Sequence, residues 1–151
     1  MNDLWRVIYE RAAGDPTLVL LLGHSESDRR IKRGYQPEPM GYPCVAYDLW
    51  SARMEPVDQA QGNRAPQVVA VRFTVWAPES VPGDGQAGDA LVATIAERLK
   101  EIFHGADLTD AQVQSYASLF DDFQSPVWFD EARRAYVGVL RFRFWIVVGS
   151  P

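Results

Sequence analysis

The stretch Gln67-Val68-Val69-Ala70-Val71-Arg72-Phe73-Thr74-Val75-Trp76-Ala77 decides the fold class. Side chains of a strand point alternately to its two faces. Val69, Val71, Phe73 and Val75 fall on one face, and Arg72, Thr74 and Trp76 on the other. A strand buried on both sides in a parallel sheet reads as a near-continuous apolar run. This alternation instead predicts an antiparallel sheet with one packed face.

The elements around it agree. Asp89 can cap a helix over Ala90 to His104, whose stripe is Leu91, Ile95, Leu99, Ile102 and Phe103, with Gly105 as the stop. Arg134 to Val148 reads as a long strand with Tyr136, Leu140, Phe142, Phe144, Ile146 and Val148 on one face. Upstream, Leu4, Val7, Ile8 and Arg11 recur at helical spacing behind Asn2 or Asp3, and Gly14 ends the pattern. Asp15-Pro16 is a second start signal, a capping carboxylate before proline, for a short helix over Thr17 to Leu22. Short strands are expected around Ile31, at Tyr42 to Tyr47 and at Val127 to Phe129, with a turn at Asp130-Glu131. Leu108 to Phe123 is ambiguous, and Thr109-Asp110-Ala111 could open a short helix. Short loops rather than regular crossovers join the strands. The class is therefore α+β: a mainly antiparallel sheet, the long helix on one face and an N-terminal helix pair. No repeat, low-complexity segment or linker divides it, so 1–151 reads as one domain.

With 47% hydrophobic and 23% charged residues the composition is that of a globular chain, enough for one core. The net charge of −5 disfavours a dedicated DNA-binding domain, which would be basic. Cys44 is the one cysteine, which excludes an intramolecular disulfide and a cysteine-built zinc site. The N-terminus lacks signal-peptide character, and the longest apolar run, Leu18 to Leu22, is far too short to span a bilayer. The expected product is a soluble protein made in the cytoplasm, without membrane partners.

Gly83-Asp84-Gly85-Gln86-Ala87-Gly88 fits a dinucleotide-binding glycine pattern after a strand and before a helix. Pro78 to Pro82 intervene, the strand alternates, Asp84 and Asp89 would repel phosphate, and no buried strand follows Gly105. A surface loop is the better reading. His24 and His104 each sit at a helix end, where a cationic side chain suits the dipole. Cys44 reads as a small buried hydrophobe. Asp121, Asp122, Asp130 and Glu131 lack the alternating ligands of a calcium loop and read as a solvated turn. No catalytic, cofactor or metal residue is assigned, and the chain is read as a non-enzyme.

Two features point to contacts with other proteins. Arg141 and Arg143 share a face with Trp145, and Arg72 shares one with Trp76; this reads either as an exposed sheet face with ordinary charges or, if the two strands pair, as one Arg/Trp patch of five residues typical of interface anchors. Residues 51–65 are polar and small, with Pro56 and Gly62, and read as a long hairpin arm or a mobile loop. Arg53, Met54, Glu55, Val57, Asp58, Asn63 and Arg64 are its candidate docking residues, ordering on a partner. Removing 52–64 is expected to spare folding.

The order of elements resembles the small phage tail-terminator or tail-completion proteins, including a domain-of-unknown-function group found beside head-tail connector genes. Four stretches carry the resemblance: Leu18-Val19-Leu20-Leu21-Leu22-Gly23 closing the helix pair; Pro39-Met40-Gly41-Tyr42-Pro43 leading into Cys44-Val45-Ala46-Tyr47; Val71-Arg72-Phe73-Thr74-Val75-Trp76-Ala77 before the Ala90-to-Phe103 helix; and the last strand, Ala135 to Val148. It covers nearly the whole chain, by pattern more than by identity. The loop at 78–88 and the segment 107–126 are longer than the family pattern. The resemblance implies a virion protein of the tail or neck, assembled in the host cytoplasm, that forms a ring of copies, commonly a hexamer, on the last ring of the tail tube. Its partners would be itself, the tail tube protein and a head-tail connector or stopper, with DNA only as passing cargo. A head-side connector or stopper, a small nucleotide-binding protein and a host adaptor are the alternatives.

Overall fold

In a computed structural model of the chain, the described residues are 2–23, 30–34, 41–54, 67–79, 88–106, 108 and 115–147. Among them the elements run α1 (Asn2–Ala13), α2 (Pro16–Leu21), β1 (Ile31–Arg33), β2 (Cys44–Met54), β3 (Gln67–Pro78), α3 (Gly88–Phe103), β4 (Ser115–Gln124), β5 (Trp128–Asp130) and β6 (Ala135–Val147). One six-stranded sheet has the order β1-β2-β3-β6-β4, with β5 also on β6. β1 runs parallel to β2; every other pairing is antiparallel. The fold is α+β, as the alternation of Val69 to Val75 requires.

The packed face holds the core. Val69, Val71, Phe73 and Val75 of β3 and Leu140, Phe142 and Phe144 of β6 are all at 0% exposure, joined to Leu91, Ile95, Leu99 and Phe103 of α3. Phe73 meets Phe103 at 5.2 Å and Phe142 edge-on at 5.4 Å between ring centroids. Such ring pairs add about 1 kcal/mol each beyond area burial. α1 inserts Leu4 and Ile8 into the same core, and Trp5 packs on Tyr47 of β2.

Two glycines set how closely α3 lies on the sheet. A Cβ on Gly88 would stand 2.0 Å from the Pro78 carbonyl oxygen, and one on Gly138 would stand 2.9 Å from Val92 Cγ1. The last glycine of the 83–88 pattern is thus a packing residue, where helix start meets strand end. Residues 83–87 lie outside the described residues.

At α2, Asp15 Oδ2 accepts from the Leu18 amide at 2.8 Å, the expected cap. The same carboxylate holds Arg98 of α3, with Nη2 at 2.6 Å and Nε at 2.9 Å, and Arg98 reaches Glu101 at 2.6 Å. One side chain therefore starts α2 and ties it to the long helix.

The structure corrects three expectations. β2 continues to Met54: Ser51, Ala52, Arg53 and Met54 pair with Ala70, Val69, Val68 and Gln67. Arg53 and Met54 therefore stand in the paired part of a β2–β3 hairpin, because the β3 partner extends the pairing past the polar composition of 51–54. The rest of the arm, Glu55, Val57, Asp58, Asn63 and Arg64, lies outside the described residues. From Ser115 onward the ambiguous segment is strand, since β6 supplies a hydrogen-bonding edge; its alternation is masked where the register shifts between Phe120 and Gln124. Asp121 and Asp122 thus stand in a strand, not a turn. The proposed helix opening at 109–111 is outside the described residues, as is His24. His104 is exposed just after α3, its amide on the Lys100 carbonyl at 2.8 Å.

Candidate functional site: an arginine–aromatic strip

The helices occupy one sheet face, so the other carries the even-numbered residues of β3 and their partners. Arg72 pairs directly with Arg141, Ala70 with Arg143 and Val68 with Trp145. The strands do pair as the patch requires, and Arg72, Arg141, Arg143 and Trp145 stand together.

Two cations directly opposed across strands repel. Neighbours offset this. Asp48, the β2 partner of Arg72, takes its guanidinium by both oxygens, Nε–Oδ1 at 2.8 Å and Nη2–Oδ2 at 2.5 Å. This fork geometry suits arginine and not lysine. The Trp50 ring centroid lies 5.7 Å from Arg72 Cζ and 5.2 Å from Arg141 Cζ, and the Phe123 centroid lies 5.3 Å from Arg141 Cζ. Cations over ring faces gain roughly 0.5–2 kcal/mol, more as water is excluded.

Trp50 and Phe123 come from opposite flanks of the sheet. Each sits at an irregularity: Trp50 between the Leu49 and Ser51 pairings of β2, Phe123 between the Phe120 and Gln124 pairings of β4. An irregular register re-aims a side chain, and here both rings arch over the central arginines until their centroids are 5.3 Å apart. They remain 42% and 36% exposed, so large apolar area faces outward beside fixed cations. Asp48, Trp50 and Phe123 were missed in the sequence. The available signal was an aromatic next to acidic residues at a break in alternation: Asp48-Leu49-Trp50 and Asp121-Asp122-Phe123.

Trp76 departs from the expected grouping. It shares the face but is 2% exposed, in a small second cluster with Cys44, Ala135 and Val137. Tyr42 stacks on it at 6.4 Å and the Arg133 guanidinium covers it at 5.3 Å. Its role is packing. Burial also pushes the Cys44 thiol up to about 12, so the thiol stays protonated at neutral pH.

Elsewhere, two shallow clefts flank α3. One, of about 370 Å³, is lined by Glu97, Lys100, Glu101 and His104; the other, of about 400 Å³, by Glu10, Arg11, Asp15, Arg98 and neighbours. Their charges pair with one another, Lys100 with Glu97 at 2.8 Å and Arg98 with Asp15 and Glu101. Among the described residues no group of three or more His, Cys, Asp or Glu is placed to hold a metal ion. No described helix is long and apolar enough to cross a membrane.

Fold and strip together define a class: an α+β domain with one sheet face packed by helices and an arginine–aromatic strip on the other. A chain in the solved virion of a native gene transfer agent (GTA) particle shares this fold with a TM-score of 0.65 and 18% identity, over 93% of this chain and 91% of that one. No family model and no curated protein matches the chain.

Proposed function

We propose that this chain is a non-enzymatic structural subunit of a phage-type particle, and that within the particle it is a tail terminator. The observation that carries this reading is the fold likeness to a chain of a gene transfer agent virion, which runs over almost the full length of both proteins. The order of elements, which resembles the terminator family, supports the finer assignment.

In this reading copies form a ring, commonly a hexamer, on the end of the tail tube. The ring stops tube growth and presents a surface to the connector or stopper, while DNA passes as cargo. The net charge of −5 suits a protein that DNA slides past. The strip of Arg72, Arg141, Arg143, Trp145, Trp50 and Phe123 supplies rigid rings and planar donors for protein contacts. Residues 55–64 remain the proposed docking arm.

Co-expression with the cognate tube protein tests the assignment. Tubes of one defined length, each ended by this chain in electron micrographs, are the expected result. Tube lengths that ignore its presence contradict the terminator role. Labelling on the head side of the neck instead would identify a connector or stopper and keep the virion reading.

A further inference from the structure

The helix-free face does not end at the strip. Every second residue of β3 points to it, so Thr74 and then Trp76 continue the row from Arg72 in steps of roughly 7 Å. Trp76 is 2% exposed. Two side chains lie against its ring: Tyr42, stacked at 6.4 Å, and the Arg133 guanidinium, 5.3 Å from the ring centroid.

This packing leaves polar atoms unmet. Trp76 Nε1 and Arg133 Nε are both buried, and neither has a hydrogen-bond acceptor. Buried donors without partners are rare in folded proteins, because each has given up water and gained nothing in return. The two residues that own them are in contact with each other.

The turn that carries Arg133 is also under tension. Residues 131–134 join β5 to β6. Asp130 anchors the turn, accepting from the Arg133 amide at 3.0 Å and from Arg133 Nη1 at 3.3 Å. Arg134 takes φ +49, in the left-handed region that a side chain disfavours. Its guanidinium reaches Glu79 at 2.7 Å, but the two side chains are 66% and 51% exposed, and such a pair holds little.

We propose that Arg133 is a latch over Trp76, closed in the form described above and lifted with its turn in a minor open form. Opening returns both orphaned donors to water and relaxes Arg134. It also uncovers the indole on the same face as Trp50 and Phe123. The latch thus sets how much ring area that face presents. Local openings of this kind proceed without global unfolding. The latch concerns the face assigned above to protein contacts, but it stands or falls apart from that role.

Hydrogen exchange of the Trp76 indole N–H in the intact chain tests it. NMR follows the signal, identified by its proximity to the Tyr42 ring. The backbone amides of β3 are the reference for global unfolding, since β3 is paired on both sides. Corrected for intrinsic rates, the wild-type indole should exchange at least about tenfold faster than those amides. Arg133→Ala removes the cover and should raise the indole rate, relative to the amides, about tenfold further. Arg134→Gly lets the closed turn adopt its φ freely and should lower that ratio about fivefold. General loosening would move both variants the same way. An indole that exchanges only with the β3 amides overturns the latch. So does an Arg133→Ala chain with an unchanged ratio, or an Arg134→Gly chain whose ratio is unchanged or higher. Both substitutions lie in a surface turn, and the β3 amides report in the same spectra that the fold survives.

Discussion

Gly88 and Cys44 show how single positions are decided by their surroundings. A methyl group on Gly88 would sit inside the contact radius of the Pro78 carbonyl, which is backbone and cannot rotate away. Gly88→Ala should therefore cost about 2–3 kcal/mol in chemical denaturation. Gly138→Ala should cost less, since only the tip of Val92 must yield. A neutral Gly88→Ala would mean that α3 does not start against the end of β3. The Cys44 thiol, pushed up to about 12 by burial, should resist a thiol reagent at neutral pH until the protein unfolds. Rapid stoichiometric labelling of the native chain would contradict its place beside Trp76. Residue-level meaning was only partly legible in the sequence. The alternation in β3 placed Arg72 and Trp76 on one face correctly, but whether that face is wet depends on Arg133 and Tyr42, which local pattern does not reveal. The same holds for the last glycine of the 83–88 pattern, whose neighbours come from β3 and β6.

Among the elements, α2 is short and depends on its cap. Asp15 is held below the usual carboxylate range, chiefly by its hydrogen bonds from Arg98, which outweigh the opposing effect of burial, with a lesser contribution from the Leu18 amide. A carboxyl whose folded value is depressed contributes stability above its unfolded value of about 4 and loses it as pH falls through the folded value. Asp15→Asn should accordingly lower Tm at pH 7, by an amount matching about 1 kcal/mol or more. The gap from wild type should close as pH falls below about 4. A gap that stays constant down to acid pH would refute the ion pair. In the strip, Asp48→Ala removes the two-oxygen grip on the Arg72 guanidinium and should cost about 1–2 kcal/mol. Trp50→Ala should leave stability within about 1 kcal/mol while weakening assembly. A severe loss of folding in Trp50→Ala would mark that ring as core instead. Helices and strands with strong periodicity were readable from the chain alone: α1, α2, α3, β3 and β6. β4 and the second half of β2 were not, because their pairing comes from β6 and β3, and register irregularities at Phe123 and Trp50 break the period of two.

At the scale of the whole molecule, one sheet carries helices on one face and a strip of rings and guanidiniums on the other. The fold class was contained in the alternation of β3. The strip was half legible, since the five residues chosen by face parity included four that the structure groups together and omitted Asp48, Trp50 and Phe123. The proposal that this molecule works through contacts within a particle is tested most directly by imaging. Cryo-electron microscopy of particles from the native source, at a resolution that traces side chains, should find this chain as a closed ring at the tube end beneath the head, with Trp50 and Phe123 covered by a neighbouring protein. Finding it instead outside the particle, as a lone subunit with both rings bare, would contradict the account.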